Sequence, residues 1–79
     1  MTARVEEAVA RAKKVLPERL RSLRRGQKLT LKELSQMCGI SISALGQYEQ
    51  GAAVPTMEKL IQLAAFYGVR MDWLLGGEW

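Results

Sequence analysis

The stretch from Thr30 to Gly51 constrains the fold of this chain more than any other. It carries start and stop signals for two short helices with almost nothing between them. Thr30 can accept a hydrogen bond from the amide of Glu33, and Glu33 can reach back to the amide of Thr30. That reciprocal pair, a capping box, opens a helix. Leu31, Leu34 and Cys38 then fall on one helical face. Gly39 suits the left-handed position just past a helix end, where a Cβ would clash. Ser41 can cap a second helix with Ala44, Leu45 and Tyr48 turned inward, and Gly51 closes it. Ile40, between the two, is an apolar plug for the angle they enclose.

The rest of the chain also reads as helix, with no convincing strand. Thr2 caps a segment over 3–15 with a narrow stripe of Val5, Ala8, Val9, Ala12 and Leu16. Glu6 and Glu7 near its start and Lys13 and Lys14 near its end suit the helix dipole. Pro17 disfavours helical geometry at Leu16 and fits the first position of a helix. A second segment is therefore expected over 17–25, with Leu20 and Leu23 inward. Gly26-Gln27-Lys28 turns the chain. After Gly51, the loop Ala52–Pro55 leads to a helix capped by Thr56 and ended by Gly68. Met57, Leu60, Ile61, Ala64 and Phe66 or Tyr67 are its expected buried face. A last short helix over 70–75 presents Met71, Leu74 and Leu75 and stops at Gly76-Gly77. Six helical segments are predicted, without repeats or low-complexity linkers.

Composition narrows the function classes. At 79 residues the chain has room for one small domain with one modest core. Nearly half of it is apolar, which argues against disorder. No apolar run approaches the roughly 18 residues of a membrane span, and no signal peptide is visible. A lone cysteine cannot form an internal disulfide, which fits a reducing, cytoplasmic setting. On the inner face of its helix, Cys38 reads as a buried, inert thiol. There is no histidine, so the commonest general base and metal ligand is missing. No nucleophile–base pair, metal cluster or phosphate-binding loop is present, so no enzyme activity, cofactor, metal or small-molecule ligand is implied.

Charge is distributed unevenly. Residues 1–32 hold ten Lys/Arg against three Glu, a net +7, whereas residues 33–79 hold two against five acids, a net −3. A solvated helix face is the plain reading of such a run. Beside a two-helix motif of this kind, it is the electrostatic footprint of a polyanion binder.

Together these residues resemble the phage repressor and Cro-type helix-turn-helix family of bacterial and phage regulators. The resemblance runs from Leu16 to about Gly76, three quarters of the chain. It rests on the joint spacing of Leu20, Leu23, Arg24, Leu34, Gly39, Ile40, Ser41, Leu45, Glu49, Gly51, Pro55, Leu60, Leu63, Ala64, Gly68, Val69, Leu74 and Leu75. It implies an all-α fold, a compact helical bundle of the lambda-repressor-like DNA-binding type, here with an extra N-terminal helix. The expected division is a basic amphipathic helix over 1–15, a DNA-binding domain over 16–76 and a tail over 77–79. The second motif helix, 41–50, would enter the major groove of double-stranded DNA. Ser41, Ile42, Ser43 and Gln47 would face the bases. Arg25, Lys28, Lys32 and Gln50 would meet phosphates. Arg24 and Glu49 would form a structural ion pair. Trp73 and Leu75 mark a leading homodimer surface, with the Ala stripe of 3–15 as its competitor; Trp73 packs either against the body or against a second subunit.

The motif departs from the family pattern in several places. Ser41 to Gln50 contains no Lys or Arg. Leu31 stands where the family often has a phosphate-binding glutamine, and the loop after Gly51 is apolar rather than basic. Affinity must then lean on the basic N-terminal half. Gly46, mid-helix, costs roughly 1 kcal/mol relative to Ala and is either neutral or a point of close approach. The expected function is a sequence-specific transcriptional regulator, a repressor in the first instance. The alternative is a helix-turn-helix fold used as a protein-interaction module, with Ile42 and the 52–54 loop as its surface.

Overall fold

A computed structural model describes residues 2–77. Among these residues there are five helices and no strand: α1 (Ala3–Gly26), α2 (Leu31–Cys38), α3 (Ile42–Gln50), α4 (Met57–Tyr67) and α5 (Met71–Leu74). Local chemistry accounts for most of the boundaries. The side chains of Thr2, Thr30, Ser41 and Thr56 each accept a hydrogen bond from an amide three residues on, at Val5, Glu33, Ala44 and Lys59. The capping box of α2 is complete, with the Thr30 amide donating to Glu33 at 2.9 Å. At the far end of α3, Gly51 takes φ 75° and donates to the Tyr48 carbonyl, while Ala52 donates to the Gln47 carbonyl at 2.9 Å. This paired closure satisfies carbonyls that the helix itself cannot.

The two segments expected on either side of Pro17 are one continuous helix of 24 residues. The proline ring removes the hydrogen bond to the Lys13 carbonyl, a defect that costs about 3 kcal/mol in a helix interior. Tertiary contacts on both sides of the ring keep the helix continuous. Leu16 and Leu20 are buried in the core, and Arg11 Nε donates to the Gly76 carbonyl at 2.6 Å. The ring faces the closing turn of α3, where a Cβ added to Gly51 would lie 3.5 Å from Pro17 Cγ. The expected division at residues 15 and 16 is thus not marked by any break in the helix. Of the expected tail, only Gly77 lies among the described residues.

The core gathers Leu16 and Leu20 of α1, Leu34 of α2, Ile40, Leu45 and Tyr48 of α3, Leu60, Leu63 and Ala64 of α4, and Leu74 of α5. Ile40 is almost wholly enclosed in the angle between α2 and α3. The buried face of α4 differs from expectation. Met57 and Ile61 are exposed, and Leu63 takes the central place. Leu60 and Ala64 are buried as expected, so the face is turned by less than the roughly 100° step between successive residues, and the packing of α2 and α5 against α4 decides which side is covered. Cys38 is half-buried against the core.

Candidate nucleic-acid interface

The nine residues of α3 divide cleanly. Leu45, Tyr48 and Glu49 are buried, Ala44 and Gly46 are half-buried, and Ile42, Ser43, Gln47 and Gln50 are exposed. The exposed face carries no charge. Its donors and acceptors are hydroxyls and amides, and its one large apolar group is Ile42. Ser41, just before the helix, is exposed, but its Oγ accepts from the Ala44 amide at 3.1 Å. That bond leaves the hydroxyl proton free to donate. Gln47 Nε2 donates to Ser43 Oγ at 3.4 Å, a long bond that lies along the helix surface. An α-helix with its side chains is about 10–12 Å across, a diameter that fits a major groove about 12 Å wide.

Two arginines of α1 hold the far end of α3. Arg24 donates from Nε and Nη2 to the two carboxylate oxygens of Glu49, both at 2.8 Å, and from Nη1 to the Leu29 carbonyl at 2.9 Å. The hydrogen bond with Glu49 raises the Arg24 pKa above its ordinary value, against the opposing effect of burial. Arg21 donates to the backbone carbonyl of Glu49, in the last turn of α3. Such a carbonyl has no partner within the helix and carries the negative end of the dipole, so a guanidinium suits it. Tyr67 packs nearby. Burial, and then the charge of Glu49, push its phenol up to about 12, while Arg24 opposes the shift.

The basic half of the chain sorts into two groups. Arg11, Arg19, Arg21 and Arg24 reach backbone carbonyls or Glu49, and so brace the fold. Arg25, Lys28 and Lys32 are exposed around the turn from α1 to α2. Lys28 is the one non-glycine residue with positive φ, at 57°, among those described. The bracing role of Arg11, Arg19 and Arg21 escaped the sequence reading. Their partners lie 65, 54 and 28 residues away, and no local spacing signals them. Trp73 is 42% exposed, with the Arg19 guanidinium 4.6 Å from its ring centre. Leu75 is half-buried and faces the N-terminal part of α1. Among the described residues no cluster of His, Cys, Asp and Glu could hold a metal ion, and no helix is long and apolar enough to cross a membrane.

Comparison with known proteins agrees with this geometry. The profile of the helix-turn-helix family matches residues 20–74. The uncharacterized HTH-type transcriptional regulator YobD of Bacillus subtilis is 42% identical over 59 residues, which cover 75% of this chain and 53% of that protein. The HTH-type transcriptional activator BcrR of Enterococcus faecalis is 38% identical over 61 residues, 77% of this chain and 30% of that protein. The cryptic phage CTXphi transcriptional repressor RstR of Vibrio cholerae is 33% identical over 61 residues, 77% of this chain and 54% of that protein. The chain thus spans about half the length, or less, of these relatives. No solved structure matches it. Because the profile runs from the second half of α1 through α5, it takes in every element that positions α3, and the chain belongs to the helix-turn-helix family.

Proposed function

We propose that the chain is the double-stranded DNA-binding part of a transcriptional regulator. It acts in the cytoplasm as a repressor, reads the major groove with α3 and binds as a homodimer. The observation that carries this reading is the uncharged exposed face of Ser41, Ile42, Ser43 and Gln47 on a doubly anchored α3, with Arg25, Lys28 and Lys32 exposed before and along α2 and Gln50 exposed at the end of α3 as phosphate contacts. Phosphate contacts from the cations fix position, and amides and hydroxyls discriminate bases. Family relatives named as a repressor and as an activator support a regulatory role. Repression needs the least of the bound domain, because occupancy of an operator is enough to block it. Two copies of a domain this small reach half-sites about 34 Å apart, one DNA turn.

Selection of bound duplexes from a random pool tests the reading. The expected product is an enriched inverted repeat, bound with affinity that falls steeply as salt rises. A pool without enrichment, together with no measurable duplex binding at low salt, overturns it.

A further inference from the structure

We propose that the first three turns of α1 form an antiparallel, two-fold contact with the same turns of a second copy of this chain. The proposal rests on the homodimer reading above and assigns it a surface. Within α1 the buried residues are Leu16 and Leu20. Of the thirteen helical residues before Leu16, about 20 Å of helix, none is fully buried in its own fold, and only Ala8, Ala12 and Val15 are half-buried. They nevertheless carry an apolar stripe at the spacing of a packed face. Arg4, Val5, Ala8, Val9, Ala12 and Leu75 line an open groove of about 410 Å³ along it. Val5 and Val9 are 45% and 43% exposed.

The stripe is complementary to itself. In an antiparallel pair centred between Ala8 and Val9, each Val9 meets the other copy's Ala8, and each Val5 meets the other copy's Ala12, beside Leu75. Large side chains thus oppose small ones throughout, and alanine lets the backbones approach closely. Charge selects the same direction. Glu6 and Glu7 lie at the start of the segment, and Arg11, Lys13 and Lys14 at its end. Antiparallel packing sets each acidic start beside a basic end, with Glu6 and the other copy's Lys13 on the same flank of the seam, and it opposes the helix dipoles. A parallel pair would set like charges together. Arg4 shares the other flank with the second copy's Arg11, which is held by its own Gly76 carbonyl, and at the rim water screens these like charges. Three turns of paired helix fall below the roughly 1,200 Å² of standard interfaces, so the dimer depends on concentration and tightens on DNA. Trp73 is not in this groove, and its ring is occupied by Arg19 of its own chain.

Sedimentation equilibrium across a wide concentration range, with binding to a two-fold duplex and to its single half-site, tests the proposal. The wild-type chain is expected to pass from monomer to dimer. Val9→Glu and Ala8→Lys should each stay monomeric and lose cooperativity on the two-fold duplex. Both should keep wild-type half-site affinity and wild-type helix content by circular dichroism. Mixed together they should dimerise, because Glu at 9 then faces Lys at 8. Trp73→Ala should remain a dimer. A wild-type chain monomeric at every concentration, a Val9→Glu variant that still dimerises, or a mixture that stays monomeric overturns the proposal. Absence of half-site binding in every variant would sink the DNA reading alone, since sedimentation still decides the dimer.

Discussion

Arg24 and Glu49 form a two-pronged ion pair across the α1–α3 junction, with both nitrogen–oxygen distances at 2.8 Å and side-chain exposures of only 15% and 7%. The pair ties the last turns of α1, next to exposed Arg25, to the last turn of α3. Removing one partner leaves a charge in a largely dry place. Glu49→Ala should therefore lower unfolding free energy by about 3 kcal/mol and weaken DNA binding with it. The apolar double replacement Arg24→Met with Glu49→Leu should cost less than Glu49→Ala alone. Urea denaturation of the three proteins checks the order.

Gly46 has room for a side chain. An added Cβ would meet only Leu31 Cδ1, at 3.8 Å, an ordinary contact. Gly46→Ala should stabilise α3 by roughly 0.5–1 kcal/mol, the helix-propensity difference. It should leave operator affinity unchanged. A rise in Tm of several degrees is the expected readout, and a large loss of affinity would show instead that this position faces DNA.

Tyr67 supplies a pH dependence. Its buried hydroxyl has no hydrogen-bond partner among the described residues, and its pKa is raised from 10.0 to about 12. Below pH 10 the phenol is neutral whether the chain is folded or not, and stability is full. Between 10 and 12 only the unfolded chain loses the proton, so stability falls as pH rises. Tyr67→Phe should remove that part of the alkaline loss. It should also raise stability at neutral pH by about 1 kcal/mol, because a desolvated hydroxyl is gone. Thermal melts from pH 7 to 11 compare the two proteins.

Exposed cations at the start of the motif predict a salt signature. Arg25→Ala, Lys28→Ala or Lys32→Ala should weaken every duplex about equally and reduce the salt slope by about one. Anisotropy titrations over a salt series measure it. A change in sequence preference would assign the residue to base readout.

Gln47 is the side chain on the exposed face of α3 best suited to pair with an adenine edge, since its long bond to Ser43 is easily exchanged. Gln47→Ala should cost about 1–3 kcal/mol on the best site and relax preference at one base pair, sparing non-specific binding. Ile42→Ala should act more weakly, at a neighbouring A·T pair, through a lost methyl contact. Binding to the four base variants at each position decides both.

Local signals settled α2 and α3, because capping is chemistry between residues three or four apart. Thr30, Glu33, Gly39, Ser41 and Gly51 mark those helices in the sequence, and each does so in the structure. The place of Ile40 was legible for the same reason, as a lone apolar residue in a tight turn. Pro17 shows where local rules stop. Its missing amide argued for a break, yet long-range contacts at Leu16, Leu20 and Gly51 keep α1 whole. The rotation of α4, with Leu63 buried and Ile61 out, was likewise a matter of which neighbours cover it. Charge shows the same division. The sequence by itself determined that the N-terminal half is basic. Only the tertiary structure decided that Arg11, Arg19, Arg21 and Arg24 are spent on carbonyls and a carboxylate, while Arg25, Lys28 and Lys32 stay free to meet solvent or a polyanion. A side chain's type fixes its charge, but its partner is fixed by which distant backbone the fold brings within about 3 Å of it.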